Sequence, residues 1–79
     1  MKEILSDFLY DKKYYIIMYE ENIYIFNYID IEFVSKNKII IKMEKFNILI
    51  KGIDLEIIKL FDKEMVIKGC INDIGKIYE

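Results

Sequence analysis

From Tyr14 onward the apolar residues of this chain recur at every second position, in short runs separated by polar breaks. A period of two is the spacing of one face of a β-strand, whose side chains point alternately to opposite sides. In 38–43, Ile39, Ile41 and Met43 share one face, while Lys38, Ile40 and Lys42 share the other. In 46–51, Phe46, Ile48 and Ile50 oppose Asn47, Leu49 and Lys51. The pattern predicts strands near 14–19, 22–28, 31–35, 38–43, 46–51, 54–60, 64–68 and 71–78. The breaks are short: Glu20-Glu21, Asp30, Ser35-Lys36-Asn37, Glu44-Lys45, Lys51-Gly52, Asp62-Lys63, Gly69 and Gly75. Parallel neighbours need a crossover of a dozen or more residues, so breaks this short favour hairpins. The expected fold is all-β. One small domain would hold an antiparallel meander of about seven or eight short strands over 14–79, sandwich- or roll-like. A small β-solenoid is the alternative, since near-regular strand–turn spacing also suits stacked coils.

Residues 1–12 carry a different period. Ile4, Leu5, Phe8 and Leu9 form one stripe at helical spacing, with Lys2, Glu3, Ser6 and Asp7 on the other side. A short helix or arm is expected there. A helix this short is marginal alone and must dock on something.

Composition agrees with the pattern. The chain has 79 residues, with 19 Ile, 5 Leu and no Ala. Ile, Val, Phe and Tyr together make 33 of the 79, and these suit a pleated, half-buried surface. AT-rich codons add to the Ile excess, but they do not decide where apolar residues fall.

Charge and residue types exclude several functions. The net charge is −2 and every basic residue is Lys, so a cationic footprint for nucleic acid is not expected. The longest uncharged run, Asn22 to Ile29, is far short of the ~20 apolar residues of a spanning helix. No basic lead followed by an apolar stretch marks a secretory signal, and a single cysteine suits a reducing compartment. The expected location is cytoplasmic. Without His there is no Ser–His–Asp or Cys–His arrangement and no His-based metal site. Cys70 is expected to be a buried small hydrophobe. No phosphate-binding or dinucleotide-binding glycine motif is present. The 14 carboxylates lie among lysines, as on a solvated face. No enzymatic activity, catalytic residue, cofactor or metal is expected.

The first hairpin stands apart. Tyr14, Ile16 and Met18 oppose Tyr15, Ile17 and Tyr19, and Ile23 and Ile25 oppose Tyr24, Phe26 and Tyr28. Both faces are apolar. A sheet's own core covers one of them; the N-terminal helix or another chain must cover the other. Tyr24, Phe26, Tyr28, Tyr15 and Tyr19 form the candidate interaction surface, since large aromatics are the usual anchors of such contacts. Core positions are expected at Ile39, Ile41, Ile48, Ile50, Leu55, Ile57 and Ile67. One internal echo appears: Ile48-Leu49-Ile50-Lys51-Gly52 and Met65-Val66-Ile67-Lys68-Gly69. Gly52 and Gly69 are expected to shape turns or bends.

Three segments in order, Asn22-Ile23-Tyr24-Ile25-Phe26-Asn27-Tyr28, Ile48 to Gly52 with Leu55 and Ile57, and Met65 to Gly69 with Ile71, Ile74 and Tyr78, resemble the YabP/YqfC family of sporulation proteins. The likeness covers roughly Tyr14 to Glu79 and is closer to the YqfC branch. The family often has Gly where this chain has Asp30 and Phe46. The lead also differs from the longer, Pro-containing lead of the YqfC type. The resemblance implies a non-enzymatic protein of the mother cell, acting in cortex or coat formation during spore maturation. It implies a protein partner, a YqfD- or YabQ-type membrane protein, and a place peripheral to the forespore membrane. A homo-oligomer and a self-assembling structural β protein of the spore or cell envelope remain open.

Overall fold

Six strands account for the alternating pattern: β1 (Tyr15–Tyr19), β2 (Asn22–Phe26), β3 (Asp30–Val34), β4 (Lys38–Lys42), β5 (Asn47–Phe61) and β6 (Glu64–Ile77). They belong to a computed structural model that describes residues 14–78. The helix or arm expected over 1–12 lies outside the described residues. Every strand pair is antiparallel, in one open sheet of order β1-β2-β6-β5-β4-β3. The β-solenoid alternative is therefore overturned. A plain meander is overturned too, because β2 pairs with β6 and not with the strand that follows it.

The strand count falls to six because Lys51-Gly52 and Lys68-Gly69 bend strands without ending them. The β5–β6 ladder runs from Asn47↔Ile77 to Phe61↔Glu64, with register shifts at Lys51/Gly52, Ile53/Glu56 and Ile57/Lys59. Extra residues on one strand sharpen its bend and twist. The two glycines meet at this corner. A Cβ on Gly52 would lie 2.2 Å from the Cys70 carbonyl oxygen, and one on Gly69 would lie 2.9 Å from both the Asp54 oxygen and Leu55 Cδ2. Gly69 also holds φ at 151°, where side chains are disfavoured.

Bending lets each long strand serve two half-sheets. The first half holds β1, β2, the start of β6 and the end of β5. The second holds β3, β4, the start of β5 and the end of β6. The halves repeat one another down to their corner bonds. Gly69 N–H donates to the Glu21 carbonyl and Gly52 N–H to the Asn37 carbonyl, each at 3.0 Å. Asn27 N–H donates to the Lys63 carbonyl at 2.6 Å, and Met43 N–H to the Phe46 carbonyl at 2.9 Å. The echo at Lys-Gly is the sequence trace of this pseudo-twofold plan.

The halves close on one another. Ile23, Ile25, Met65 and Ile67 of the first join Ile39, Ile41, Ile48 and Ile50 of the second in one cluster, each with less than 2% of its surface exposed. The shortest dimension, 22 Å, fits two layers stacked ~10 Å apart with side chains outside. Full burial contributes about 1.5–3 kcal/mol for each such side chain. Met43, Phe46 and Leu55 complete the core, and Ile57 packs against it. Phe46 does not need a left-handed backbone; among the described non-glycine residues, positive φ falls on Glu20, Asn27, Asp54 and Lys63. Cys70 is exposed, against expectation. It pairs with exposed Ile53 just past the Gly69 bend, where the corner turns outward.

Candidate interaction face

Directly paired residues share a face, so the register assigns the outer surface of the first half-sheet in three rows. Tyr15, Phe26, Glu64 and Phe61 form one row across β1, β2, β6 and β5. Ile17, Tyr24, Val66 and Lys59 form the next. Tyr19, Asn22, Lys68 and Glu56 form the third. The face therefore grades from aromatic at one end to polar at the other.

Four of the five expected surface residues meet here. Tyr15 stacks between strands: its ring lies 4.9 Å from Phe26 at 17° and 6.0 Å from Tyr24 at 24°. Offset stacking at these distances is worth about 0.5–1.5 kcal/mol beyond area burial. The Tyr24 hydroxyl donates to a Glu64 carboxylate oxygen, which fixes the ring tip against β6. Tyr15, Tyr24 and Phe26 are half-buried, Ile17 is 50% exposed and Tyr19 is 68% exposed.

Tyr28 is elsewhere. β2 ends at Phe26, and Asn27 turns the chain with φ at 69°. Tyr28 then packs against the core, and its hydroxyl donates to the Phe61 carbonyl at 3.3 Å. The strand expected to reach residue 28 stops two residues early, so the alternation that put Tyr28 beside Phe26 no longer applies. Conversely, Phe61 belongs to the face, 57% exposed. Sequence reasoning ended its strand at 60, and only the pairing with Glu64 brings Phe61 into the aromatic row. The inward side of the hairpin is as expected. Ile23 and Ile25 are fully buried, and Tyr14 and Ile16 pack against the core. Tyr14 meets Phe46 edge-on at 5.1 Å.

The face carries one unmet polar group. Asn22 Oδ1 is buried without a hydrogen-bond donor, beside Tyr19 and Lys68 in the polar row. A buried acceptor left unpaired costs about 1–3 kcal/mol.

A hollow lined by Tyr14, Asn27, Met43, Glu44, Lys45 and Phe46 has a volume of about 180 Å³, and a more open depression at the Gly69 corner, lined by Glu21, Ile53, Asp54, Glu56, Lys68 and Cys70, about 310 Å³. Lys76 closes the Phe46 end of the core, its ammonium 4.8 Å from the centre of the Phe46 ring and 5.7 Å from that of Tyr14. A hydrogen bond to Tyr14 raises its pKa above the ordinary lysine value, and the nearby Tyr14 and Tyr78 charges add to the rise. Among the described residues, no group of three or more His, Cys, Asp or Glu is placed to hold a metal ion. No described helix is long and apolar enough to cross a membrane.

No curated protein and no solved structure matches the chain. The model of the YabP family matches residues 11–75, which takes in the whole two-faced hairpin and both Lys-Gly corners. The chain thus belongs to the YabP family, a membership that suggests a sporulation-related protein.

Proposed function

We propose that this chain is a non-enzymatic sporulation protein that works by protein–protein contact during spore maturation, in cortex or coat formation. Its partner would be a membrane protein of the YqfD or YabQ type, and the chain would sit in the mother cell beside the forespore membrane. The YqfC branch is the nearer model for this pairing. One observation supports the contact mode above the rest: Tyr15, Tyr24, Phe26 and Phe61 are gathered on an outer face of a domain whose core is already closed. Rigid aromatic area of this kind anchors interfaces. The lack of His and of a nucleotide-binding motif supports the non-enzymatic reading.

The test is a double change, Tyr24→Asp with Phe26→Asp, followed by co-purification with the YqfD- or YabQ-type protein encoded by the same genome. Association should fall at least tenfold while the β-sheet circular dichroism is kept. Unchanged association with a folded double variant would sink the proposal. A second reading, a self-assembling structural β protein of the envelope, is favoured by one feature, the uncharged β1, which lies at the edge of the sheet among the described residues.

A further inference from the structure

Among the described residues, the two outer strands of the sheet are protected very differently. β3 carries Asp30 and Glu32, and its ladder with β4 is broken by a bulge between Ile31 and Phe33. Charges and bulges on an edge are the usual devices against unwanted pairing. β1 has neither. Its five residues, Tyr-Ile-Ile-Met-Tyr, are uncharged, and they pair with β2 in unbroken register. Ile17, Met18 and Tyr19 are each at least half exposed. Alternate residues of such an edge direct their N–H and C=O groups outward, ready to extend the ladder.

The sequence of β1 also says what fits it. Tyr15-Ile16-Ile17-Met18-Tyr19 reads almost the same in both directions about Ile17. A two-fold axis through Ile17, normal to the sheet, would set Tyr15 opposite Tyr19 of a second copy, Ile16 opposite Met18, and Ile17 opposite itself. Aromatic would meet aromatic on the outer face, and aliphatic would meet aliphatic on the core face. An isologous contact requires this self-complementarity. Charge agrees with it. In the sequence, Lys12-Lys13 precede the strand and Glu20-Glu21 follow it. By sequence order alone, an antiparallel pairing opposes the basic pair to the acidic pair, whereas a parallel pairing opposes like to like. Self-pairing of β3 would instead oppose Glu32 to Glu32, and β1 on β3 would set an apolar strand against Asp30 and Glu32.

We infer that two copies of this chain associate through β1 alone, antiparallel and centred on Ile17, into a closed dimer with one continuous twelve-stranded sheet. The guarded β3 edge stops growth there, so the assembly is a dimer and not a filament. This goes beyond the partner reading and does not depend on it, because it is read on the purified chain alone.

Sedimentation equilibrium of the full chain tests it. Five residues a side is small against the ~1,200–2,000 Å² of a standard interface, so the dimer should be concentration-dependent. The mass should rise from 9.6 kDa to twice that value over about 1–100 μM and then stop rising. Ile17→Lys places two ammonium groups on the axis and should weaken dimerisation at least tenfold, with unchanged circular dichroism. Val34→Lys, on the β3 edge and equally exposed, should leave the dimer intact. Register is read by Ile17→Cys in a Cys70→Ser background. Opposed residues at a two-fold lie within disulfide reach, so mild oxidation should link most of the protein. Tyr19→Cys in the same background should link little, since it faces residue 15. A full chain that stays monomeric at 100 μM overturns the inference. So does an Ile17→Lys variant that still dimerises, or equal cross-linking at 17 and 19.

Discussion

The two half-sheets share a plan but not a surface. In the first, the outer rows are Tyr15-Phe26-Glu64-Phe61 and Ile17-Tyr24-Val66-Lys59. The equivalent rows of the second are Asp30-Lys42-Asn47-Ile77 and Phe33-Ile40-Leu49-Gly75. Inward residues are nearly interchangeable: Ile23, Ile25, Met65 and Ile67 against Ile39, Ile41, Ile48 and Ile50. The fold therefore demands only the inner set. An outer face with four aromatics in two rows and one with Phe33 as its single aromatic among aliphatic and polar residues satisfy it equally, so the aromatic cluster is not explained by the inner packing. That asymmetry is what the proposed contact surface rests on.

The corner glycines give the largest effect. Gly52→Val should abolish folding, because its Cβ would overlap the Cys70 carbonyl and block the closing of the halves. Gly75 lies on the outer row of the second half, and a Cβ there meets nothing within 4 Å. Gly75→Ala should be neutral or stabilise by about 0.4–1 kcal/mol, by restricting the unfolded chain. Circular dichroism and thermal melting read both. A Gly52→Val protein that melts like the parent would remove the corner from the account.

Next come the matched core residues. Ile23→Ala and Ile39→Ala should each destabilise by roughly 2–5 kcal/mol, and by similar amounts, if the halves are equivalent in packing. Urea unfolding measures both. A loss confined to one of them would break the pseudo-twofold description at the core.

The smallest effect lies at the core's open end. With its pKa raised, the Lys76 ammonium contributes stability that is fully present below the ordinary lysine value of 10.5. The contribution is lost as pH rises through the higher, folded value. A Lys76→Met variant should match the parent's pH dependence up to about pH 10 and lose less stability above it. Parallel melting curves from pH 8 to pH 12 would show the difference.

Local alternation made much of this legible. Ile39, Ile41, Ile48, Ile50 and Ile67 fall on buried faces because period two fixes the side of each residue once a strand is granted. What escaped was non-local or conformational. Nothing near Ile23 announces Ile67 as its neighbour, so the β2–β6 pairing could not be read. Lys-Gly looks the same in a turn as in a bend, so two long strands were read as four. Tyr28 was misplaced by a single left-handed residue, Asn27, which asparagine tolerates but does not advertise. The aromatic surface was legible where both faces of one hairpin were apolar. Phe61 was not, because its row is set by a strand it meets only after the chain turns back.

The β2–β6 pairing also dictates a timetable. Residues 15–26 are made well before β6, so Ile23 and Ile25 find Ile67 and Met65 only after residue 67 has been made. At about 5–20 residues per second, synthesis keeps the most apolar hairpin of the chain waiting for several seconds. β3 and β4 can cover its inward face, through Ile39 and Ile41, but they cannot supply the ladder that β2 makes with β6. The stretch proposed as the contact surface is thus also the stretch most at risk while the protein is being made.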